Sequence, residues 1–432
     1  MLPITKLNDF KVDLSGLDNT QKAAVVSEAE NILVRAPAGS GKTTCILSAV
    51  ANYRYEHLND SICAITFTRA ATEEMKTRLE QMGIHDVAVS TIHSWAREQL
   101  LMFARKYDFR VDIIHETEIR AILQVLIQDY LDTHPKIRGV NLDILYSFIS
   151  GNKNMDVKDS FKRTLCALEN RYIRYKRENH LYDFTDYPLY LFDVMNTFDE
   201  TINSIDALFV DEYQDVDPVQ FELFKKVNAS KKFYCGDGWQ SIYAFRGCDG
   251  EAFNKTADFE QFKLSYNYRS YQEIIDYAVT VYLAQKEKAA LEESCYITEV
   301  MWTGPSDIKC SRGHGGTVVV ANPFGRVIKI TEDGVARVAS LVNEFKEMMS
   351  DRPMILCRTN RQVKAINEAG YFEASTIHQA KGLEYKNVVV IDTTISCTED
   401  LNIAYVALTR ARDKMFVINW NQFELLFNMY MR

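Results

Sequence analysis

The sequence has no apolar run near the roughly 18 residues that a membrane-spanning helix needs, so no membrane span is expected. Its first residues, Met1-Leu2-Pro3-Ile4-Thr5-Lys6, lack the apolar core of a secretory signal. It has no C-x-x-C pair either. The nine cysteines, at 45, 63, 166, 235, 248, 295, 310, 357 and 397, are odd in number and widely spaced. That argues against a disulfide framework and for reduced thiols in a cytosolic compartment. Cys295, Cys310 and His314 come nearest to a metal cluster, but three candidates without a fourth make a weak zinc signal. There is no internal repeat and no low-complexity segment. Positive charge is short as well: the net charge is −9 and the pI about 5.5. That argues against a surface that binds nucleic acid everywhere, while leaving room for a basic groove on an acidic body.

What is present is ordinary globular material. Charged residues make up 25% and apolar residues 47%, which excludes a disordered or fibrous chain. At about 150 residues per domain, 432 residues allow two to four domains. Short apolar runs fall into two groups. One holds 32–34, 62–65, 87–89, 208–210 and 233–235; the other holds 354–357, 388–391 and 415–418. Continuous apolar strands between helical stretches predict parallel sheets covered on both faces, hence two α/β cores. From about 95 to 204 the spacing becomes helical, as in 119–126, which predicts a helical insertion in the first core. A glycine-rich stretch at about 286–335 could hold short strands or a loop.

Residues Ala36-Pro37-Ala38-Gly39-Ser40-Gly41-Lys42-Thr43 follow the strand at 32–34 and precede a helical stretch. This is the strand–loop–helix setting of a phosphate-binding loop. Gly39 and Gly41 let backbone N–H groups converge on phosphate oxygens, and the following helix N-terminus adds its positive end. Lys42 supplies charge to the β- and γ-phosphates, and the Thr43 hydroxyl suits Mg²⁺. A partner acidic site is expected where a neighbouring strand ends, and Leu208-Phe209-Val210-Asp211-Glu212 fits. Asp211 can hold Mg²⁺ through water, and Glu212 can polarise the attacking water.

With those residues in hand, the chain resembles the UvrD/Rep-like superfamily 1A DNA helicases along nearly its whole length, in the family's order. Residues 17–24, with Gln21, resemble the Q motif. Residues 66–71 with Glu74 and Met75 resemble motif Ia, and 90–94 resemble Ib. Motif II matches 210–215, motif III Gly236-Asp237 with 240–247, motif IV 267–270, motif V 376–384 and motif VI 404–412. The resemblance implies two RecA-like P-loop NTPase cores bracketing one Mg-ATP, with a helical insertion called 1B. The expected boundaries are 1–94 with 205–266 for the first core, 95–204 for 1B and 267–432 for the second core.

The resemblance also implies roles. Lys42, Glu212, Gln240, Arg269 and Arg410 would be catalytic, with the two arginines reaching the γ-phosphate from the second core; arginine's fork suits phosphate. Gln21 would read the adenine, Tyr268 stack on it and Glu384 meet the ribose, with Ala38, Gly39, Ser40, Gly41, Thr43 and Thr44 completing the ATP site. Phe67, Thr68, His93, Tyr243, Phe245, Arg358 and His378 occupy the single-stranded DNA positions, where rings stack on bases without sequence preference. The stretch 161–180, with Lys162, Arg163, Arg171, Arg174, Lys176 and Arg177 around Tyr172 and Tyr175, reads either as a nucleic-acid face or as a solvated helix face.

Departures stand out. Thr44 occupies a place where relatives carry an adenine-packing arginine, which bears on nucleotide selectivity. Motif III reads Asp237-Gly238-Trp239-Gln240, and Phe245 replaces a common tryptophan. Residues 363–374 are all that separate Cys357-Arg358-Thr359-Asn360-Arg361-Gln362 from motif V, so the large 2B subdomain of relatives is expected to be missing. No nuclease domain is expected behind Arg412. The implied activity is an ATP-dependent single-stranded DNA translocase and 3′→5′ helicase. It would act on tailed duplexes, as a monomer, in the cytoplasm of a bacterium or of a phage host. The alternative is a translocase that strips proteins or drives a partner nuclease or repair factor with little unwinding. A scaffold with a dead ATP site is disfavoured because the site residues are intact.

Overall fold

The computed structural model describes residues 13–150, 159–243, 248, 256, 258–291, 308–321, 351–368, 373–391 and 398–418. They divide into two compact units. One takes the residues up to Ser90, Asn203–Pro218 and those from Asn228 onward; the other takes Thr91–Ile202 and Val219–Val227.

The first unit is α/β and carries two parallel sheets. In the first sheet the strands β1 (Asn31–Arg35), β2 (Ile62–Thr66), β3 (Val87–Thr91), β4 (Ala207–Val210), β5 (Lys231–Gly236) and β6 (Glu260–Lys263) lie in the order β3-β2-β4-β5-β1-β6. Its central strands carry apolar runs because both faces are covered: β2 (ICAIT) and β4 (ALFV) are buried at every position. Helices α1 (Asn19–Val25), α2 (Lys42–Glu56) and α3 (Arg69–Gln81) flank it, burying Ala24, Ile46 and Met75 in a common core with Val34, Phe209 and Phe233.

A two-stranded pair, β7 (Tyr266–Asn267) with β8 (Lys309–Cys310), leads into the second sheet. There β9 (Thr317–Ala321), β10 (Met354–Cys357), β11 (Glu373–Thr376), β12 (Tyr385–Ile391) and β13 (Ala411–Ile418) run in the order β11-β10-β12-β13-β9, all parallel. Helix α10 (Gln272–Leu291; α4–α9 are given below) and helix α12 (Thr398–Leu408) bury Ile274, Ala278, Ala404 and Leu408 against Leu356, Val388, Val390 and Val417. Between β10 and β11 the described chain holds one helix, α11 (Asn360–Glu368). Strands β6, β9 and β11 are additions to the strands expected from apolar runs. β6 (EQFK) and β11 (EAST) have no apolar run to betray them.

The second unit is helical: α4 (Ile92–Tyr107), α5 (Glu116–Thr133), α6 (Leu142–Ile149), α7 (Asp159–Glu178), α8 (Tyr187–Thr197) and most of α9 (Pro218–Lys225). Leu123, Ile127, Leu145, Phe148, Leu165 and Leu168 form its core. The inclusion of 219–227 differs from the expected 95–204 segment. Phe224 packs at 5.9 Å from Trp95, and Ile202 pairs with Val227, so this later helix joins the earlier ones. The basic stretch 161–180 also divides. Lys176 and Tyr172 point inward, Lys176 donating to Asp183 at 2.7 Å and to Asp186, and the Tyr172 hydroxyl to Asp183 at 2.9 Å. Lys162, Arg163, Arg174 and Arg177 remain exposed. The net positive face is therefore smaller than its sequence count.

Candidate nucleotide cleft and ring surface

The candidate phosphate loop is built by backbone geometry. Gly39 and Gly41 adopt φ +71° and +77°, a region that costs side-chain-bearing residues strain. A Cβ on Gly39 would lie 2.6 Å from Asn267 Nδ2 and 2.8 Å from Arg269 Cβ, and one on Gly41 would lie 2.8 Å from Gln21 Nε2. The loop is thus held from two sides. Asn267 Nδ2 donates to the Ala38 carbonyl at 2.6 Å and Tyr268 N–H to the Gly39 carbonyl at 2.8 Å. Gln21, buried, caps α1 with its carbonyl oxygen and donates to the Ser40 carbonyl at 2.9 Å. Its amide therefore supports the loop, with both ends engaged inside the protein.

Lys42 opens α2 and donates to Glu212 Oε2 at 3.1 Å. Glu212 follows β4 with φ +51°, a strained backbone for a residue with a side chain. Burial would raise the Glu212 carboxyl, but the Lys42 and Lys381 ammoniums hold it below the usual carboxylate range. Burial and the neighbouring Glu212 charge push Asp211 upward. One carboxylate is thus pinned ionised beside a cation, and the next is buried and readily neutralised.

The opposite wall comes from the second sheet. Arg269 Nε donates to Glu384 Oε2 at 2.9 Å and its Nη1 to the Thr409 carbonyl at 3.3 Å. Arg410 is buried and reaches the Val406 and Leu383 carbonyls and Gln240 Oε1, at 3.0, 3.1 and 3.1 Å. Burial and the nearby Arg269 push Arg410 down to about 9, which still leaves it charged at neutral pH. Gln240 in turn donates to Asp237 at 2.7 Å. The Tyr268 hydroxyl donates to Asp18 at 2.6 Å, and its ring is 41% exposed. These side chains converge on a cavity of about 360 Å³, lined by residues 39–44, Asp211, Glu212, Gln240, Tyr268, Arg269, Glu384 and Arg410. Ala38 and Gln21 stand behind the wall.

The residues present fit a magnesium–polyphosphate. The Ser40 hydroxyl is buried without a hydrogen-bond partner in the phosphate loop, and the cavity brings Lys42, Arg269 and Arg410 around one space. The Thr43 hydroxyl and the Asp211 carboxylate are hard oxygen donors suited to Mg²⁺.

Three features of the cleft escape a linear reading. Arg78, on α3, lines the cavity and donates to Thr44 Oγ1 at 3.1 Å, so an arginine does stand at the place where Thr44 has none. The only sequence signal is its position one turn after Glu74. Trp239 is buried, stacked on Tyr282 at 4.0 Å and edge-on to Tyr405 at 5.3 Å, so the unusual motif III residue anchors the first sheet's turn in the second sheet's core. Lys381 donates to Asp215 at 2.5 Å and to the Gln240 carbonyl at 2.9 Å.

Of the expected DNA positions, Phe67 and Tyr243 stack at 5.2 Å. His378 stands 6.3 Å from Tyr243, and the Lys381 ammonium sits 4.7 Å above that ring. Thr68 is exposed and caps α3. Arg358 pairs with Asp400. In the helical unit His93 stacks on Phe184 at 6.2 Å; Phe184, 54% exposed, was not singled out by sequence. Phe245 lies outside the described residues, as does Cys295 of the candidate zinc set. Among the described residues no group of three metal-ligating side chains forms, and no helix is long and apolar enough to cross a membrane.

Comparison with known proteins decides the family. The UvrD/REP helicase N-terminal domain model matches residues 17–261, over half of the chain, and the UvrD-like helicase C-terminal domain model matches 371–418. The chain belongs to the UvrD/Rep helicase family. A probable DNA helicase of Mycoplasma pneumoniae is 26% identical, over 93% of this chain and 83% of that protein. The ATP-dependent DNA helicase PcrA of Leuconostoc citreum is 26% identical over 82% of this chain, and that of Bacillus subtilis 28% identical over 82%. This chain spans 48% and 49% of those two relatives, about half their length. Among solved structures, an arterivirus nonstructural protein 10 (helicase) matches with a TM-score of 0.43 and 14% identity, over 94% of this chain and 63% of that one. The two parallel sheets are the two RecA-like cores of the family.

Proposed function

We propose that this chain is a DNA-stimulated ATPase that moves along single-stranded DNA in the 3′→5′ direction and unwinds tailed duplexes in the cytoplasm. One observation supports it most: Lys42, Asp211, Glu212 and Gln240 of one RecA-like core face Arg269 and Arg410 of the other across a single cavity. Lys42 and the loop N–H groups bind the β- and γ-phosphates. Glu212, held ionised by Lys42, accepts the proton of the attacking water. Arg269 and Arg410 leave their resting partners Glu384 and Gln240 to meet charge developing on the γ-phosphate. Thr43 and Asp211 would hold Mg²⁺, which would neutralise phosphate charge there. Because the arginines and Lys42 sit on different cores, turnover is tied to their approach. The Phe67–Tyr243 ring pair lies beside the same cleft, which links grip on bases to that approach.

The test is ATPase with and without oligonucleotide. Lys42→Ala and Glu212→Gln should each nearly abolish DNA-stimulated turnover, and retained turnover would refute the site. A 3′-tailed duplex should be unwound and a 5′-tailed one left intact; the reverse refutes the polarity. A second reading is a translocase that strips proteins or drives a partner with little unwinding. It is favoured by the short β10–β11 connection, where the described chain holds α11 alone. Single-turnover strand displacement separates the two.

A further inference from the structure

The glycine-rich stretch after β8 has no assigned task, yet it touches both arginine-bearing loops. Arg312 Nη1 donates to the Arg269 carbonyl at 3.1 Å, the Arg412 carbonyl at 3.1 Å and Asp413 Oδ1 at 2.7 Å. Its guanidinium lies 3.9 Å from the centre of the Tyr271 ring. The surrounding backbone is laced to the same elements. Ser311 N–H donates to the Asn267 carbonyl at 2.8 Å, Gln272 N–H to the Gly313 carbonyl at 2.9 Å and Tyr271 N–H to the Arg412 carbonyl at 3.2 Å. Gly315 and Gly316 N–H groups donate to Glu273 at the start of α10. Gly316 has to be glycine here, since a Cβ would lie 2.8 Å from Tyr271 Cβ.

We infer that Arg312 is a positioning residue for the two γ-phosphate arginines. Through one terminal nitrogen, Nη1, it ties the carbonyl of the residue bearing one guanidinium, Arg269, to that of Arg412, two residues past Arg410. Arginine suits this because Nη1 meets the three acceptors while the flat, always charged guanidinium lies against the Tyr271 ring. Arg312 does not line the cavity, so it acts through Arg269 and Arg410 and not on nucleotide. Releasing it lets the two loops move independently, and a misplacement near 1 Å costs on the order of 100-fold in rate.

This rests on the ATPase reading of the cleft. The experiment uses the full chain with single-stranded DNA and compares wild type, Arg312→Gln, Arg312→Lys and, as reference, Lys42→Ala. Arg312→Gln should lower kcat about 10- to 100-fold, with KM for ATP and affinity for ADP changed less than about threefold. It should also weaken binding of ADP–aluminium fluoride, which needs the arginines in place. Arg312→Lys should recover part of kcat, since charge returns without the flat face that lies against Tyr271. Wild-type kcat in Arg312→Gln overturns the inference. So does a fall in kcat matched by equal losses of ADP affinity and melting temperature, which marks a scaffold role. If Lys42→Ala turns over like wild type, the ATPase reading itself has failed and the inference falls with it.

Discussion

Lys381→Met tests whether one buried ion pair governs the interface between the two sheets. Asp215, next to motif II, has no exposed side-chain surface, and Lys381 of motif V is 9% exposed. The ammonium contacts Asp215 Oδ2 at 2.5 Å, while Oδ1 has no hydrogen-bond partner. Replacing lysine by methionine keeps the aliphatic stem but strands a buried carboxylate, and breaking such a pair costs about 3–5 kcal/mol. Asp215 can shed that cost by protonation or by separation of the sheets. Burial already lifts Asp215 to about 6 with Lys381 in place, so without the ammonium it titrates higher. A carboxyl raised in the folded state stabilises at low pH and loses that contribution as pH rises through the folded value. The defect in Lys381→Met should therefore be larger at pH 8 than at pH 6. The assay is a double-mutant cycle with Asp215→Asn, read by thermal melting and by affinity for a fluorescent ATP analogue. A coupling energy above about 1.5 kcal/mol is expected, with Asp215→Asn rescuing much of the loss. Additivity within about 0.5 kcal/mol, or a defect that grows on acidification, refutes the reasoning.

In the helical unit, Lys176→Met should destabilise by about 3–5 kcal/mol in a denaturant melt, because Asp183 and Asp186 lose their shared cation. Burial opposes but Lys176 lowers Asp183, whereas burial raises Asp186. Without the lysine both carboxyls favour the protonated form, so the deficit should shrink as pH falls from 7 toward 5. Arg78→Ala should raise KM for ATP about tenfold, the worth of a charge-assisted contact, and an unchanged KM would remove Arg78 from the site. Phe67→Ala and Tyr243→Ala should each weaken single-stranded DNA binding by about 1–3 kcal/mol in fluorescence anisotropy.

Some of this was legible because it is local. A glycine-bounded loop between an apolar strand and a helix has the setting of a phosphate loop, and an apolar run ending in Asp-Glu offers a candidate acidic partner. The order of motifs extended that reading to Arg269 and Arg410. Strands β6 and β11 were not legible, since their polar residues add to a sheet already nucleated by others. The charge count of 161–180 left two readings open for a related reason: helix periodicity tells which residues share a face, while Asp183 and Asp186, beyond the helix, decide that Lys176 turns inward.

The sequence by itself determined the chemistry available, because phosphate binding and charge stabilisation depend on residue types at short spacing along one strand–loop–helix. Tertiary structure decided which groups share a space. Arg78 stands by Thr44, Trp239 sits in the core of the other sheet, and Arg312 braces two loops distant in the chain. Those pairings are set by how the covered sheets pack, and packing joins positions that no local pattern connects.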